Sequence, residues 1–312
     1  MAIYITGGSG YIGTHLTNYL SGTNEELFVI DNNIGENHYA QINGVKYLDV
    51  SLHEPSAPEI LGKYFSKTKN NLIIHLAGLK SIEKSIVNPD LYKELNLAST
   101  KNLLTAMQKT SISEIIFASS AAVYGNQKSV DENEDVLPIS VYGKVKLLEE
   151  NLIQSSKLKF LNNYAILRFF NVVGAEKPTM REIRGGNIFP QIQKSIEENL
   201  PFRIFGKNFP TKDGTCVRDY VDVLDLVTGI YLCMKTLNST SPGIVNLGSG
   251  IGNSVLEIVE KAASIRRFEH IYAPPRVGDV PTIVSNITKA QKILKWQPRI
   301  TIDESLHNSF SE

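Results

Sequence analysis

The sequence predicts an α/β fold with a doubly wound parallel sheet, followed by a smaller α/β domain. In the first half, short apolar runs alternate with longer helix-like stretches, and a glycine-rich loop follows the first run. Continuous apolar runs are typical of parallel strands that are covered on both faces, because neither face meets water. Repeated strand–helix–strand units imply right-handed crossovers, which place helices on both sides of the sheet.

The elements follow from this pattern in chain order. Strands are predicted at 3–5, 27–30, 45–48, 72–76, 115–118 and 165–170, and helices at 11–20, 57–66, 90–109 and 140–156. After residue 171 glycine, proline and asparagine become frequent and the strands shorten. Helices are predicted there at 187–199, 222–237, 254–264, 286–295 and 303–310, and Ser254 with Glu257 fits a capping box. We therefore expect domains at 1–171 and 172–312, with returns of the second to the sheet.

Composition excludes several classes of protein. The 312 residues carry 32 Lys+Arg and 32 Asp+Glu, and this balance argues against a nucleic-acid or membrane-surface binder. No run of 18 apolar residues suits a membrane span, and the N-terminal residues do not read as a secretory signal. The two cysteines form neither a disulfide framework nor a metal site by themselves. We expect a cytoplasmic protein that binds no metal.

A glycine-rich loop, Thr6–Gly13, follows the first strand and opens the first helix. It fits G-x-G-x-x-G, in which glycines allow a tight turn and close approach of a pyrophosphate to the helix N-terminus. Asp31 ends the second strand, 18 residues after Gly13. A carboxylate at that position accepts hydrogen bonds from the ribose hydroxyls and repels the extra phosphate of NADP. The loop therefore predicts a Rossmann domain that binds NAD.

A catalytic group is predicted from three residues. Ser120 follows the fifth strand, where ligands bind in doubly wound sheets. Tyr142 and Lys146 are four residues apart on the next helix and share one face. A free tyrosine, with a pKa of about 10, is almost fully protonated at neutral pH, and a nearby ammonium favours its phenolate. We expect Tyr142 to exchange the substrate hydroxyl proton, Lys146 to hold the cofactor ribose, and Ser120 to bind the reacting oxygen.

These motifs together resemble the extended short-chain dehydrogenase/reductase family, and within it the UDP-glucose 4-epimerases. The resemblance covers nearly the whole chain. It rests on TGGSGYIG at Thr6–Gly13, HLAGLK at His75–Lys80, SSAAVYG at Ser119–Gly125, YGKVK at Tyr142–Lys146, RFFNVVGA at Arg168–Ala175, FGKNFPTKDGTCVRDY at Phe205–Tyr220, NLGSGIGNSV at Asn246–Val255 and PRVGD at Pro275–Asp279.

The resemblance implies two sets of binding residues. For NAD it implies Gly7, Gly10, Tyr11, Ile12, Gly13, Asp31, Asn32, Asp49, Val50, Leu76, Ala77, Gly78, Lys80, Tyr142, Lys146 and Phe169. For the UDP-sugar it implies Lys80, Ser120, Tyr142, Phe170, Asn171, Asn187, Ile188, Ile204, Phe205, Arg218, Arg276, Asp279 and Ile283. Among these, Arg218 and Arg276 would bind the diphosphate and Asp279 the uridine ribose. The first domain would bind NAD and the second the nucleotide sugar, and a homodimer is the expected assembly.

The implied reaction interconverts UDP-glucose and UDP-galactose by inversion at carbon 4 through a 4-keto sugar. Ile283 occupies a position at which sugar-restricted members often carry tyrosine, so UDP-N-acetylhexosamines are further candidate substrates. Three alternatives stay open: a nucleotide-sugar dehydratase or decarboxylase, a simple NAD-linked reductase, and a non-catalytic dinucleotide sensor. A dehydratase needs an additional acid and base, whereas Ala121 and Ala122 precede Val123-Tyr124-Gly125 here. The segment after Asp31, residues 33–37, is shorter than in most epimerases.

Overall fold

A computed structural model describes residues 1–33, 39–65, 71–110, 112–127, 129–183, 185–237, 239–276 and 278–311. The predicted short segment after Asp31 lies outside these residues, apart from Asn33. Among the described residues, no helix is both long and apolar enough to cross a membrane.

The order of elements alternates strands and helices through the first half, as the pattern predicts. The strands are β1 (Ala2–Thr6), β2 (Glu26–Asp31), β3 (Lys46–Asp49), β4 (Asn71–His75), β5 (Glu114–Ser120), β6 (Ser129–Val130), β7 (Asn163–Phe169), β8 (Asn171–Val173), β9 (Phe202–Phe205), β10 (Val217–Asp222), β11 (Gly243–Leu247), β12 (Gly252–Ser254), β13 (His270–Ala273) and β14 (Thr282–Ser285). The helices are α1 (Tyr11–Ser21), α2 (Ala57–Phe65), α3 (Ile82–Val87), α4 (Pro89–Lys109), α5 (Val141–Lys157), α6 (Ile188–Glu198), α7 (Val223–Leu237), α8 (Val255–Ile265) and α9 (Ile302–Phe310).

Seven strands form one parallel sheet in the order β11-β7-β5-β4-β1-β2-β3. The chain starts at β1, runs outward to β3, and then returns to β4 on the other side of β1. Strand order therefore reverses between β1 and β4, and in open α/β sheets ligands bind at the carboxyl ends of the strands at such a point. The predicted doubly wound sheet is confirmed.

Alternate side chains of β1 point to opposite faces of this sheet and belong to two separate hydrophobic cores. Ile3 and Ile5 pack with α1 and α7, whereas Tyr4 packs with α2, α4 and α5. This alternation follows from the two-residue period of a strand, and every side chain of β1 is buried. Burial on both faces explains why the strands read as continuous apolar runs.

The second half of the chain builds a smaller lobe beside the carboxyl edge of the large sheet. Strand β10 pairs with β8, β12 and β14, and β14 pairs with β6, while β9 and β13 form a separate parallel pair. Helices α6, α8 and α9 cover a third hydrophobic core. Two elements return to the first lobe, since β11 is an edge strand of the large sheet and α7 packs on its core.

Most predicted helices in the second half are confirmed, including the Ser254–Glu257 capping box that starts α8. The helix predicted over 286–295 is present over 288–294, but Ala290–Leu294 within it is a π-helix. Its far end is fixed by Trp296, which is fully buried and donates from Nε1 to the Asp225 carbonyl oxygen at 2.9 Å. The short helix α3 was not predicted.

Candidate active site

The glycine loop turns tightly at the crevice between β1 and β4. Gly7 has φ +69°, and a Cβ on it would lie 2.7 Å from the Ala77 backbone nitrogen, so the loop packs directly on the end of β4. A Cβ on Gly13 would lie 2.2 Å from the Gly7 carbonyl oxygen. Gly10 is the N-cap of α1, and among the described residues no side chain caps the N–H groups of the first turn of this helix. The N–H groups of this first turn, together with the glycine loop, can approach and bind a pyrophosphate. The residues present therefore fit a dinucleotide.

Asp31 lies at the end of β2 and is held by two backbone groups. Its Oδ2 accepts from Ser9 N at 3.0 Å and its Oδ1 accepts from Asn33 N at 2.9 Å. A carboxylate can accept about four hydrogen bonds, so capacity for ribose hydroxyls remains. Asn32 donates to Ser51 Oγ at 3.2 Å.

Asp49 and Val50 lie next to Asp31 at the carboxyl end of β3. Asp31 and Asp49 are register partners, and Val50 N donates to the Asp31 carbonyl oxygen at 3.2 Å. Asp49 is exposed, whereas the Val50 side chain is buried in the hydrophobic core. The structure therefore brings the predicted adenosine-binding residues to one edge of the sheet.

The segment Leu76–Lys80 leaves β4 beside the glycine loop. Asn96 of α4 clamps it, because its side chain accepts from Leu79 N at 2.8 Å and donates to the Leu79 carbonyl oxygen at 3.0 Å. The Lys80 ammonium is paired with the buried carboxylate of Glu182 and lies 5.7 Å from the centre of the Tyr11 ring. Ala77 and Gly78 precede these two anchors in the chain, with Ala77 against Gly7 of the loop and Gly78 against the Asn96 side chain.

Tyr11 and Ile12 open α1 directly behind the loop. Tyr11 is buried and its hydroxyl donates to the Gly174 carbonyl oxygen at 2.5 Å, which joins α1 to the end of β8. Burial raises the pKa of Tyr11, helped by the charges of Glu182 and Asp222, so its phenol stays protonated. Ile12 packs at the edge of the first core.

Ser120 ends β5, and its hydroxyl caps the 3-10 turn Ala121–Val123 by accepting from Ala122 N at 3.2 Å. Helix α5 packs its first turn on this 3-10 turn. A Cβ on Gly143 would lie 2.3 Å from the Ala122 carbonyl oxygen, so only glycine allows this approach. The residue before it, Tyr142, is thereby brought to the Ser120 turn.

Tyr142 and Lys146 share the buried face of α5, with 8% and 5% of their surface exposed. The Lys146 ammonium lies 3.1 Å from Glu149 Oε2 and 4.7 Å from the centre of the Phe117 ring. Burial lowers the pKa of Lys146, but the charges of Glu149 and Tyr142 raise it and the net shift is upward. The lysine is therefore held as a cation beside Tyr142.

A second buried carboxylate, Glu150, supports the other side of the site. It accepts from Arg168 Nε at 2.9 Å and from Arg168 Nη2 at 2.7 Å, and the Ser119 hydroxyl donates to it at 2.5 Å. The guanidinium lies 4.7 Å from the centre of the Tyr124 ring. This network joins α5 to β5 and β7, so α5 cannot shift without breaking buried hydrogen bonds.

A pocket opens between α6, β9 and β10 in the smaller lobe, next to the carboxyl edge of the sheet. It contains seven of the predicted substrate-binding residues. Its lining residues are Asn171, Gly186, Asn187, Ile188, Gln191, Phe202, Arg203, Phe205, Cys216, Arg218, Tyr220, Val255, Arg276 and Asp279.

Two arginines converge on Asp279 at this pocket. Arg218 Nη2 lies 3.7 Å from Asp279 Oδ1, and Arg276 Nε lies 3.3 Å from Asp279 Oδ2. Arg218 is also anchored through Nη1 to the Val280 carbonyl oxygen at 2.7 Å. Arg276 additionally pairs with Glu83 of α3 at 2.7 Å, which links the two lobes across the cleft. Both guanidinium groups contact Asp279 and therefore lie near each other, an arrangement that suits a diphosphate.

The other predicted residues lie in three places: at the pocket, at the boundary between the lobes, and in the hydrophobic cores. Asn171 donates to the Asp219 carbonyl oxygen at 3.1 Å, and Asn187 begins α6 and donates to Glu182 Oε2 at 2.6 Å. Phe170 and Ile283 pack together near Ala121, at the boundary between the lobes. By contrast, Ile204 is fully buried in the third core, whereas Phe205 lines the pocket. Phe169 ends β7 beside Ser120 and packs in the first core.

Four carboxylates in and around the site were not predicted: Glu182, Glu149, Glu150 and Glu83. Glu182 is paired with Lys80 although the two are far apart in the chain, so no local pattern identifies it. Glu149 could have been predicted from the sequence, because it follows Lys146 by three residues on one helix and this spacing places the two side chains next to each other. Glu83 meets Arg276 from 193 positions away.

Comparisons with known proteins agree with this arrangement. Residues 3–248 match the NAD dependent epimerase/dehydratase family. The chain is 36% identical to the UDP-glucose 4-epimerase of Yersinia pestis over 97% of this chain and 95% of that protein.

Two solved structures share the fold over 99% of this chain and 97% of theirs. One is the UDP-glucose 4-epimerase of Stenotrophomonas maltophila with bound NAD and formylated UDP-arabinopyranose, at TM-score 0.91 and 29% identity. The other is the UDP-glucose 4-epimerase of Bifidobacterium longum in complex with NAD+ and UDP, at TM-score 0.90 and 28% identity.

Proposed function

Because this chain belongs to the NAD dependent epimerase/dehydratase family, we propose that it is an isomerase that interconverts UDP-glucose and UDP-galactose, with NAD as its resident cofactor. The observation that carries this proposal is the pair Tyr142 and Lys146, buried on one face of α5 and packed against the Ser120 turn. It lies at the carboxyl edge of a sheet whose glycine loop fits a dinucleotide. The relatives and solved structures named above are epimerases of this substrate.

The roles of the side chains follow from their chemistry. Tyr142 removes the proton of the sugar 4-hydroxyl and returns it after inversion, while Ser120 hydrogen-bonds the same oxygen. Lys146 supplies a fixed positive charge beside Tyr142 and also binds the cofactor ribose. A bound NAD would supply the acceptor and later the donor of the hydride at carbon 4, while this chain's residues hold the sugar and move the hydroxyl proton. No external redox partner is therefore consumed.

The substrate is selected through its nucleotide diphosphate. Arg218 and Arg276 bind the two phosphates, and Asp279 between them accepts from the uridine ribose. Ile283, packed against Phe170 and Ala121, borders the sugar position, and we propose that UDP-N-acetylhexosamines are also accepted. Ile283→Ser would widen this space and raise the rate on UDP-N-acetylgalactosamine relative to UDP-galactose. Strict exclusion of the acetylated sugar by both proteins would contradict this part of the proposal.

The proposed assembly is a cytoplasmic homodimer. Helices α4 and α5 pack side by side, and each leaves a leucine half exposed, Leu91 at 46% and Leu148 at 43%. A two-fold axis that pairs these helices between copies would cover both side chains. Light scattering of the purified protein tests this, and Leu148→Lys on the outer face would dissociate such a dimer.

The decisive experiment omits the cofactor. The purified protein is incubated with UDP-galactose alone and the products are separated by chromatography; formation of UDP-glucose shows epimerisation with retained NAD. Tyr142→Phe is expected to lower kcat by at least about 10²-fold, the usual contribution of a general acid–base. Tyr19→Phe, at a partly exposed tyrosine of α1, is the matched control. A dehydrated or decarboxylated sugar, or no turnover even with added NAD, would refute the proposal.

A further inference from the structure

A buried chain of hydrogen bonds leads away from Lys146 toward the cofactor crevice. Glu149 is fully buried, and its carboxylate is shared between the Lys146 ammonium at 3.1 Å and the Thr100 hydroxyl, which donates to Oε1 at 2.6 Å. His75 Nε2 lies 3.1 Å from Thr100 Oγ1, and His75 Nδ1 lies 2.6 Å from Thr6 Oγ1. The chain thus spans α5, α4, β4 and β1.

The direction of every hydrogen bond in this chain follows from the number of protons available. Thr100 gives its one hydroxyl proton to Glu149, so it accepts from His75 Nε2–H. Burial, helped by the Lys146 charge, lowers the pKa of His75 to about 3, so the ring is neutral and its Nδ1 accepts from Thr6. Thr6 in turn accepts from the Ala77 backbone N–H at 3.3 Å. The hydrogen bonds from the Ala77 N–H to Glu149 Oε1 therefore run in one orientation, whereas Glu149 Oε2 has no hydrogen-bond partner among the described residues and meets Lys146 as an ion pair.

The charges around Lys146 come mostly from its own helix. Those that face it are Tyr142, Glu149 and Glu150 of α5 and His75 of β4. His75 is neutral and Glu150 is engaged by Arg168, so Glu149 is the carboxylate in direct contact with the ammonium. Phe117 of β5 offers its ring face and Thr100 of α4 has no titratable group.

We propose that Glu149 is a positioning residue for catalysis, which keeps the Lys146 ammonium charged and in place and connects it through Thr100, His75 and Thr6 to the Ala77 segment of the cofactor crevice. This inference rests on the proposed function of Tyr142 and Lys146. It assigns a second task to α5: beyond presenting the two catalytic side chains, the helix carries the counterion of one of them. Without Glu149, the buried ammonium would face desolvation with its strongest attraction removed.

The test is the pH profile of kcat for UDP-galactose in wild type, Glu149→Gln and Glu149→Asp. An opposite charge in contact shifts a titration by about 1–3 units, so Glu149→Gln should move the alkaline decline of kcat down by that amount. Wild type should hold its kcat further into the alkaline range than Glu149→Gln, because the ion pair with Glu149 raises the pKa of Lys146. Glu149→Asp keeps the charge and should restore the wild-type profile, with a lower plateau. Bound NAD is released by heat and measured in each protein.

Each outcome decides the matter. A downward shift in Glu149→Gln and its reversal in Glu149→Asp support the proposal. A Glu149→Gln profile parallel to wild type, with kcat lowered equally at every pH, would overturn it and leave a purely structural glutamate. If wild type itself does not interconvert the two sugars, the proposed function fails instead, so the two failures are distinct.

A second pair of variants keeps the proposal testable if Glu149→Gln does not fold. Thr100→Val preserves the shape of the residue but removes the donor to Glu149 and the acceptor for His75. We expect kcat to fall about three- to tenfold with the KM for UDP-galactose unchanged, and Thr100→Ser to restore it. An unchanged kcat in Thr100→Val would show that the connection through Thr100 has no effect on the site.

Discussion

Replacing Gly13 with alanine tests whether the glycine loop is shaped by close packing of backbone on backbone. The new Cβ would lie 2.2 Å from the Gly7 carbonyl oxygen and 2.6 Å from Gly8 Cα. A carbon–oxygen contact needs about 3.3 Å, so the loop and the helix must separate by about 1 Å. The same Gly7 oxygen accepts from Gly10 N at 3.1 Å, so that hydrogen bond is disturbed as well.

The expected magnitude combines two opposing effects. Alanine in place of glycine stabilises a helix by about 1 kcal/mol, whereas overpacking costs about 1–3 kcal/mol or more. A net loss of about 2 kcal/mol lowers Tm by about 3 °C, since the unfolding entropy of 312 residues is about 0.65 kcal/mol/K. A displacement of about 1 Å at the pyrophosphate position costs about 10²-fold in function, and we expect a similar loss in NAD affinity.

The matched control is Gly62→Ala in α2. A Cβ there meets only the Thr110 methyl group at 3.9 Å, so the helix gain is not opposed and Tm should rise by about 1.5 °C with NAD retention unchanged. The assays are thermal unfolding and the amount of NAD released per chain. If Gly13→Ala retains as much NAD as Gly62→Ala and melts no lower than wild type, the packing argument is wrong.

Three other predictions concern charged groups. Glu150→Gln leaves the buried Arg168 guanidinium without its counterion and should cost about 3–5 kcal/mol, seen as a Tm lowered by about 5–8 °C. His75 is a neutral ring with a pKa of about 3 in the folded protein, so its contribution to the free energy of unfolding is complete above about pH 6.5 and is lost as the pH falls toward 3. By pH 5 the free energy of unfolding is lower by about 2 kcal/mol. His75→Gln should therefore flatten the decline of Tm with acid. Glu83→Gln releases Arg276 for the diphosphate and should lower the KM for UDP-galactose several-fold without changing kcat, whereas an unchanged KM would show that the ion pair does not compete with substrate.

The large sheet and helix α5 could be predicted because their determinants are local. The apolar runs, the glycine loop and the four-residue spacing of Tyr142 and Lys146 each lie within one element. The π-helix at Ala290–Leu294 could not, because its apolar pattern is that of an ordinary helix. Its geometry depends on Trp296, whose ring packs against Gly229 of a helix far away in the chain.

The supporting network of the site was harder to predict for a related reason. Thr100 meets Glu149 from 49 positions away, and Thr6 meets His75 from 69 positions away. Such contacts depend on which strands are neighbours in the sheet, and a single sequence fixes that order only through topology rules. The sequence shows that a polar residue is present in a buried element, but not which distant group satisfies it.

The return of β11 to the outer edge of β7 has a consequence for how this protein can be divided. A fragment that stops at residue 171 would expose the whole of β7, Asn163–Phe169, as an unpaired edge with a row of free backbone groups. It would also lose α7 from the face of the sheet that α1 and α7 cover together, which would uncover part of that hydrophobic core. We therefore expect that residues 1–171 cannot be transferred to another protein as an independent folding unit. Chimaeras with related enzymes should exchange surface loops around the pocket and keep 223–247 with the parent sheet.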